Sequence, residues 1–196
     1  MKRTLLTLLL TACGAVAGTP GGPADRAPAI IAEAFGKLSA ALTKALASEG
    51  PAGALPVCAT TAPASAAGTG KAHGVTLRRA TDKPRNPNNA VTDEERKALS
   101  AFAASLAKKE APEPQLIINP DGSVSCLAPI IIPGALCLQC HGNEATDIAP
   151  ETPAVIRKLY LHDKATGYRS GDLRGLWRVT FPAPPPPPAS TPKPNP

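Results

Sequence analysis

Aromatic residues are scarce. One Trp, two Tyr and three Phe make up 3% of the 196-residue chain, while hydrophobic residues account for 43%. A core must therefore be built mainly from aliphatic and small side chains. The only methionine is Met1, so a methionine sulfur is excluded as a ligand inside the domain. The formal charge is +6, yet the basic stretch Arg78-Arg79…Lys83-Pro84-Arg85 has no interleaved aromatics. That removes the stacking surface of a nucleic-acid binder and leaves solvated loops or an acidic partner surface. Long apolar runs are also lacking. The run LLTLLL near the N-terminus is too short to span a bilayer, and the chain shows no internal repeat.

Proline is abundant, at 24 residues, and it punctuates the chain. Lys2 and Arg3 followed by LLTLLL read as a secretory signal over residues 1–12. The run ends in LTAC, Leu10 to Cys13, which resembles the lipobox of bacterial lipoproteins. Cys13 is then the acylated first residue of the mature chain. Cleavage after Ala15-Val16-Ala17 is the rival, but the short run stopping directly before the cysteine favours the lipobox. Either route predicts export, with the protein in the periplasm and anchored by lipid to a bacterial membrane. Residues 13–23 are a flexible tether, 24–181 a domain, and 182–196 (PAPPPPPASTPKPNP) a disordered proline-rich tail.

The most informative stretch is CLQCHG, Cys137 to Gly142. Cys137, Cys140 and His141 form C-x-x-C-H, the attachment signal for a c-type haem. Two thiols three positions apart can add to the two vinyl groups on one porphyrin edge, and the next residue supplies an imidazole to the iron. A zinc knuckle would need a second close Cys or His pair, and Cys13, Cys58 and Cys126 are isolated. A thioredoxin-type dithiol would not need the histidine. Structural thiols are the remaining alternative. The cofactor expected is haem c, with His141 on the iron. His73, His162, Cys58 and Cys126 are the candidates for its other side, or that position is open.

Around the motif the pattern is mixed. Asp25 can cap a helix to about Glu49, with Ile31, Phe35, Leu38, Leu42 and Leu46 as a packing stripe and Gly50-Pro51 as its stop. Pro56 and Pro63 bracket a short helix that puts Cys58 near its N-terminus, where the helix dipole favours thiolate. Residues 64–70 read as loop and His73 to Arg78 as the start of a strand. Thr92-Asp93-Glu94-Glu95 is a capping box opening a second helix, whose buried face is Leu99, Phe102, Ala103 and Leu106. Gln115 to Ile132 reads as a hairpin turning at Pro120-Asp121-Gly122. A short helix spans Thr152 to Tyr160, a loop runs from Ala165 to Gly175, and LWRVTFP forms a strand with Trp177, Val179 and Phe181 on its buried face.

The ordered set PVCATTAP, LRRATDKPRNPNNA, PGALCLQCHG and DKATGYRSGDLRGLWRV resembles the Tll0287-like family of c-type haem proteins, over roughly Ala24 to Phe181. The resemblance implies an α+β, PAS-like fold: an antiparallel sheet with flanking helices around one covalently bound haem. It also implies iron ligation by the box histidine and by a cysteine of the V-C-x-x-A-P segment, here His141 and Cys58. Two departures stand out, at Ala80-Thr81-Asp82-Lys83 and in the extra thiol Cys126. A Cys58–Cys126 disulfide is the alternative fate of those two sulfurs.

Expected function follows. Thiolate ligation stabilises ferric iron and lowers the potential, which suits redox or gas sensing or low-potential electron transfer through an unidentified redox or signalling partner protein. No catalytic residue is assigned. The other reading is a small peroxidase-like haem enzyme with an open distal site and His73 as base. Arg79, Arg85 or Arg174 is expected to pair with a haem propionate, the alternative being that these basic residues are solvated loop positions.

Overall fold

The structure is a computed structural model and describes residues 21–185. The signal, Cys13, most of the tether, and the tail beyond residue 185 lie outside the described residues.

The chain opens with α1 (Pro23–Ala72), interrupted at Gly50. Gly50 sits at φ +68°, a conformation other residues rarely adopt, and there the chain turns back. The two limbs run side by side. Ser65 Oγ donates to the Ala34 carbonyl at 2.9 Å, Lys37 Nζ to Thr69 Oγ1 at 3.3 Å, and the His73 ring meets Glu33 at 2.7 Å.

The sequence predicts a helix end at Pro63 and a loop over residues 64–70. The helix instead continues to Ala72. A proline inside a helix removes one backbone bond and costs ~3 kcal/mol. Here the turns beyond Pro63 bury Ala66, Thr69 and Gly70, and that packing offsets the loss. Gly70 permits the approach, because a Cβ there would lie 2.8 Å from the Val75 carbonyl and 3.1 Å from Leu77 N.

Next come β1 (Thr76–Ala80), a single 3-10 turn (Pro87–Asn89) and α2 (Asp93–Ala107). The capping box forms as expected. Glu95 N donates to Thr92 Oγ1 at 3.3 Å and Thr92 N to Glu95 Oε2 at 2.9 Å. Ala98, Leu99 and Phe102 carry the buried face, whereas Ala103, expected there, is exposed. β2 (Gln115–Ile118) and β3 (Val124–Ile131) form the hairpin, then α3 (Ala135–His141), α4 (Thr152–Leu159) and β4 (Leu173–Phe181).

The four strands form one antiparallel sheet in the order β1-β4-β3-β2. This is the α+β arrangement of sheet and flanking helices that the sequence predicts. On one face Ala27, Ile30, Ala34 and Ala66 of α1 pack on Leu77, Cys126, Trp177, Val179 and Phe181. On the other, Ala98, Leu99 and Phe102 of α2 pack on Ala80, Leu127 and Leu176. The strand alternation of Trp177, Val179 and Phe181 is thus correct, but Leu176 is buried too because α2 covers its side.

The stripe at Phe35, Leu38, Leu42 and Leu46 is not core packing. Small residues of α1 meet the sheet, and the stripe turns to a cavity at the side of the helical hairpin.

Candidate functional site

That cavity has a volume of about 520 Å³, within the range of cofactor sites, which run to roughly 300–1,000 Å³. Both limbs of α1 wall it with Leu38, Leu42, Leu46 and Leu55, and the end of β3 with the residues after it adds Ile130 to Pro133. Three kinds of functional group open into this apolar space: sulfur, imidazole and guanidinium.

The helix α3 supplies the first two. Cys137 and Cys140 lie about one turn apart on it, and both line the cavity with His141. The two thiols are half-buried and free, and burial raises both above the ordinary thiol range. His141 is fixed by its neighbours. Its Nδ1 lies 2.7 Å from the Ala165 carbonyl, so that nitrogen carries the proton and donates it. Burial, with the nearby Arg85, Arg174 and Arg79, holds its pKa well below the usual histidine value. The ring is therefore a neutral imidazole with the Nε2 lone pair free, the form in which histidine ligates a metal.

The segment after α4 braces this turn. Tyr168 N donates to the His141 carbonyl at 2.9 Å and Gly167 N to the Gly142 carbonyl at 2.7 Å. The Tyr168 ring stands edge-on to the imidazole at 6.4 Å. Gly142 is required by space: a Cβ there would lie 2.6 Å from both the Leu138 carbonyl and Asp147 Cβ.

Cys58 comes from the second limb of α1 and lines the same cavity. The sequence predicts a helix-start position, and this is corrected by the structure. The limb begins at Pro51, so Cys58 lies about two turns in, beyond the reach of the terminal dipole. Burial pushes its thiol up, while the positive charges of Arg79 and Arg85 act in the opposite direction. The cations that favour thiolate belong to β1 and the loop after it.

The three arginines divide into two classes. Arg85 is bound to Asp163 by two contacts, Nε to Oδ1 at 3.0 Å and Nη2 to Oδ2 at 3.1 Å. Arg174 donates to Thr81 Oγ1 at 2.9 Å and lies over the Tyr168 ring at 5.3 Å, with no carboxylate. The Arg79 guanidinium lies over the Trp177 ring at 5.7 Å and makes no hydrogen bond or ion pair among the described residues. Burial and the adjacent Arg174 lower the pKa of Arg79. Two desolvated guanidiniums repelling each other in one cavity make a site for anionic groups.

The other sequence candidates lie elsewhere. His73 is engaged by Glu33 at the end of α1, and neither His73, His162 nor Cys126 lines the cavity. A peroxidase-like site thereby lacks its expected distal base. Cys126 is 3% exposed and sits in the core between α1 and the sheet. Cys58 and Cys126 are both free, so the disulfide alternative is not formed. No three His, Cys, Asp or Glu side chains converge on a common point among the described residues. Sequence reasoning missed Asp163 and Tyr168 as supports of His141, although both stand inside the quoted segment DKATGYRSGDLRG.

No curated protein matches the chain. Among solved structures it is similar to the crystal structure of a cyanobacterial haem protein, Tll0287. The two are 27% identical over 81% of this chain and 93% of that chain, with a TM-score of 0.61. The Tll0287-like family matches residues 19–182, from just ahead of α1 to just past β4, so that the sheet, both limbs of α1 and every cavity residue named above fall within it. The protein belongs to the Tll0287-like family.

Proposed function

We propose that this protein binds one haem c in the cavity between α1 and α3 and works in low-potential electron transfer or in redox or gas sensing. One observation carries the reading. Cys137, Cys140, His141 and Cys58 line a single apolar cavity together with two guanidiniums that have no carboxylate partner. The fit to haem is specific in each part. A large apolar wall suits the macrocycle, the paired thiols suit its vinyl edge, and Arg79 and Arg174 suit two propionates. Arg85, committed to Asp163, is the least suited of the three arginines.

When bound, haem supplies a one-electron iron couple, tuned by axial ligands, burial and nearby charge. The chain's own residues set those terms. His141 offers Nε2 while the Ala165 carbonyl holds its other nitrogen. Cys58 is the candidate for the second axial position, because it is the remaining soft ligand in the cavity. A thiolate there favours the ferric state and lowers the potential. The apolar wall from α1 excludes water, which raises the weight of every charge inside.

Export, the periplasmic location and lipid attachment through Cys13 belong to the same reading. They rest on the N-terminal sequence and on the setting that covalent haem attachment requires. A partner protein would exchange electrons with the cavity or receive its state. The deciding experiment is a haem stain after denaturing electrophoresis, on the intact chain and on the Cys137→Ala/Cys140→Ala double variant. Stain on the first and none on the second is expected. An unstained wild-type protein, loaded in a host able to attach c-type haem, would sink the proposal.

A further inference from the structure

Of the three arginines Arg79, Arg85 and Arg174, Arg85 is the one paired with a carboxylate among the described residues, and that counter-ion does more than neutralise it. Asp163 Oδ1 accepts from Arg85 Nε at 3.0 Å and also from Ala165 N at 3.1 Å. Ala165 is fully buried, and its carbonyl accepts from His141 Nδ1 at 2.7 Å. Arg85 reaches the other way, donating from Nη2 to the Cys140 carbonyl at 2.7 Å. One carboxylate thus ties together the backbone next to the thiol pair, the loop that orients His141, and a guanidinium. The pair is nearly dry, with side chains 10% and 9% exposed, so its charges are weakly screened.

We propose that Asp163 is a positioning residue that sets the reduction potential of the site. It fixes the Ala165 carbonyl that holds His141, and it cancels the positive charge of Arg85 beside the ligand turn. This rests on the haem reading above.

The physical consequence is a pair of opposite signs. Removing the charge of Asp163 leaves Arg85 as an unbalanced cation beside the His141 turn, which would favour the reduced state of a bound haem because reduction removes one positive charge. Removing Arg85 leaves Asp163 unbalanced and favours the oxidised state. A merely structural pair would lower stability in both variants without opposite shifts in potential. An anion clamp, the role open to Arg79 and Arg174, would make Arg85 matter while Asp163 did not.

The test is potentiometric titration of the full haem-loaded chain and three variants: Asp163→Asn, Arg85→Gln, and both together. The midpoint is expected to rise in Asp163→Asn, to fall in Arg85→Gln, and to return close to wild type in the double variant, as coupling of contacting groups requires. Equal midpoints throughout, shifts of one sign in both single variants, or loss of melting temperature alone would overturn the proposal. If Asp163→Asn fails to fold, Arg85→Gln and the double variant still decide: the first must lie below wild type and the second above the first. Absence of covalent haem from the wild-type chain would instead refute the haem reading, and this inference with it.

Discussion

The guanidinium of Arg78 meets the carboxylate of Glu95 at 2.7 Å, and that carboxylate is wholly buried. Glu95 also accepts from Thr92 N in the capping box, and Arg178 Nη1 stands 3.7 Å away. A single side chain therefore starts α2 and joins it to β1 and β4. Because the group is buried, breaking the pair is costly. Glu95→Ala should destabilise the protein by about 3–5 kcal/mol, the range for stripping one partner from a buried ion pair. Glu95→Gln keeps an acceptor for Thr92 N and should lose less. Urea denaturation of the two variants checks the order, and an Ala variant within error of wild type would refute it.

Much of this architecture was legible in the sequence, for local reasons. Thr92 and Glu95 announce a helix start because cap chemistry acts within a few residues. The hairpin and the β4 alternation are readable because period 2 is a local signal. The course of α1 was not. Pro63 breaks helices in isolation, and only the sheet beneath Ala66 and Gly70 explains why it does not here. The stripe from Phe35 to Leu46 had the right period, but period alone cannot tell a core from a cavity. In the site, CLQCHG fixed the three groups on α3. Which arginine stays unpaired depended on Asp163, 78 positions from Arg85, and no local pattern carries that.

Gly142, the residue directly after the C-x-x-C-H motif, tests the tightness of the turn that carries His141. Its missing Cβ would lie 2.6 Å from the Leu138 carbonyl, which is backbone and cannot swing aside. Gly142→Ala should cost ~1–3 kcal/mol, as overpacking does, and should reduce the yield of haem-loaded protein. Gly36→Ala is the control. It lies in a helix with nothing within 4 Å of the added methyl, and should be neutral or stabilise by up to ~1 kcal/mol. Thermal melts of both report the difference, and equal effects would contradict the crowding.

Arg79 should matter through binding. Charge-assisted hydrogen bonds contribute about 1.5–3 kcal/mol each. In the Cys137→Ala/Cys140→Ala background, adding Arg79→Gln should therefore weaken non-covalent haem association by roughly ten- to a hundredfold. Lys158→Gln, on the last turn of α4, should leave it unchanged. Titration followed by absorbance gives both numbers. Equal affinities with and without Arg79 would remove it from the propionate site.

The sharpest prediction concerns Cys58. It shares the cavity with His141, and Cys126, the other cysteine outside the C-x-x-C-H motif among the described residues, is enclosed in the core behind α1. If the Cys58 sulfur is the second axial ligand, two consequences follow from its charge. Removing an anionic donor makes the ferric state less favourable, so Cys58→Ala should raise the midpoint potential. It should also free a coordination position, so that added imidazole binds ferric protein where the wild type resists it. Cys126→Ala deletes a buried sulfur outside the cavity. It should lower stability modestly and leave both the ferric spectrum and the potential unchanged. The contrast between the two variants separates ligation from packing, since both remove a partly or fully buried thiol. A Cys58→Ala protein with the wild-type spectrum and potential would show that the sulfur does not touch the iron, and the low-potential mechanism would then have to rest on His141 and burial alone.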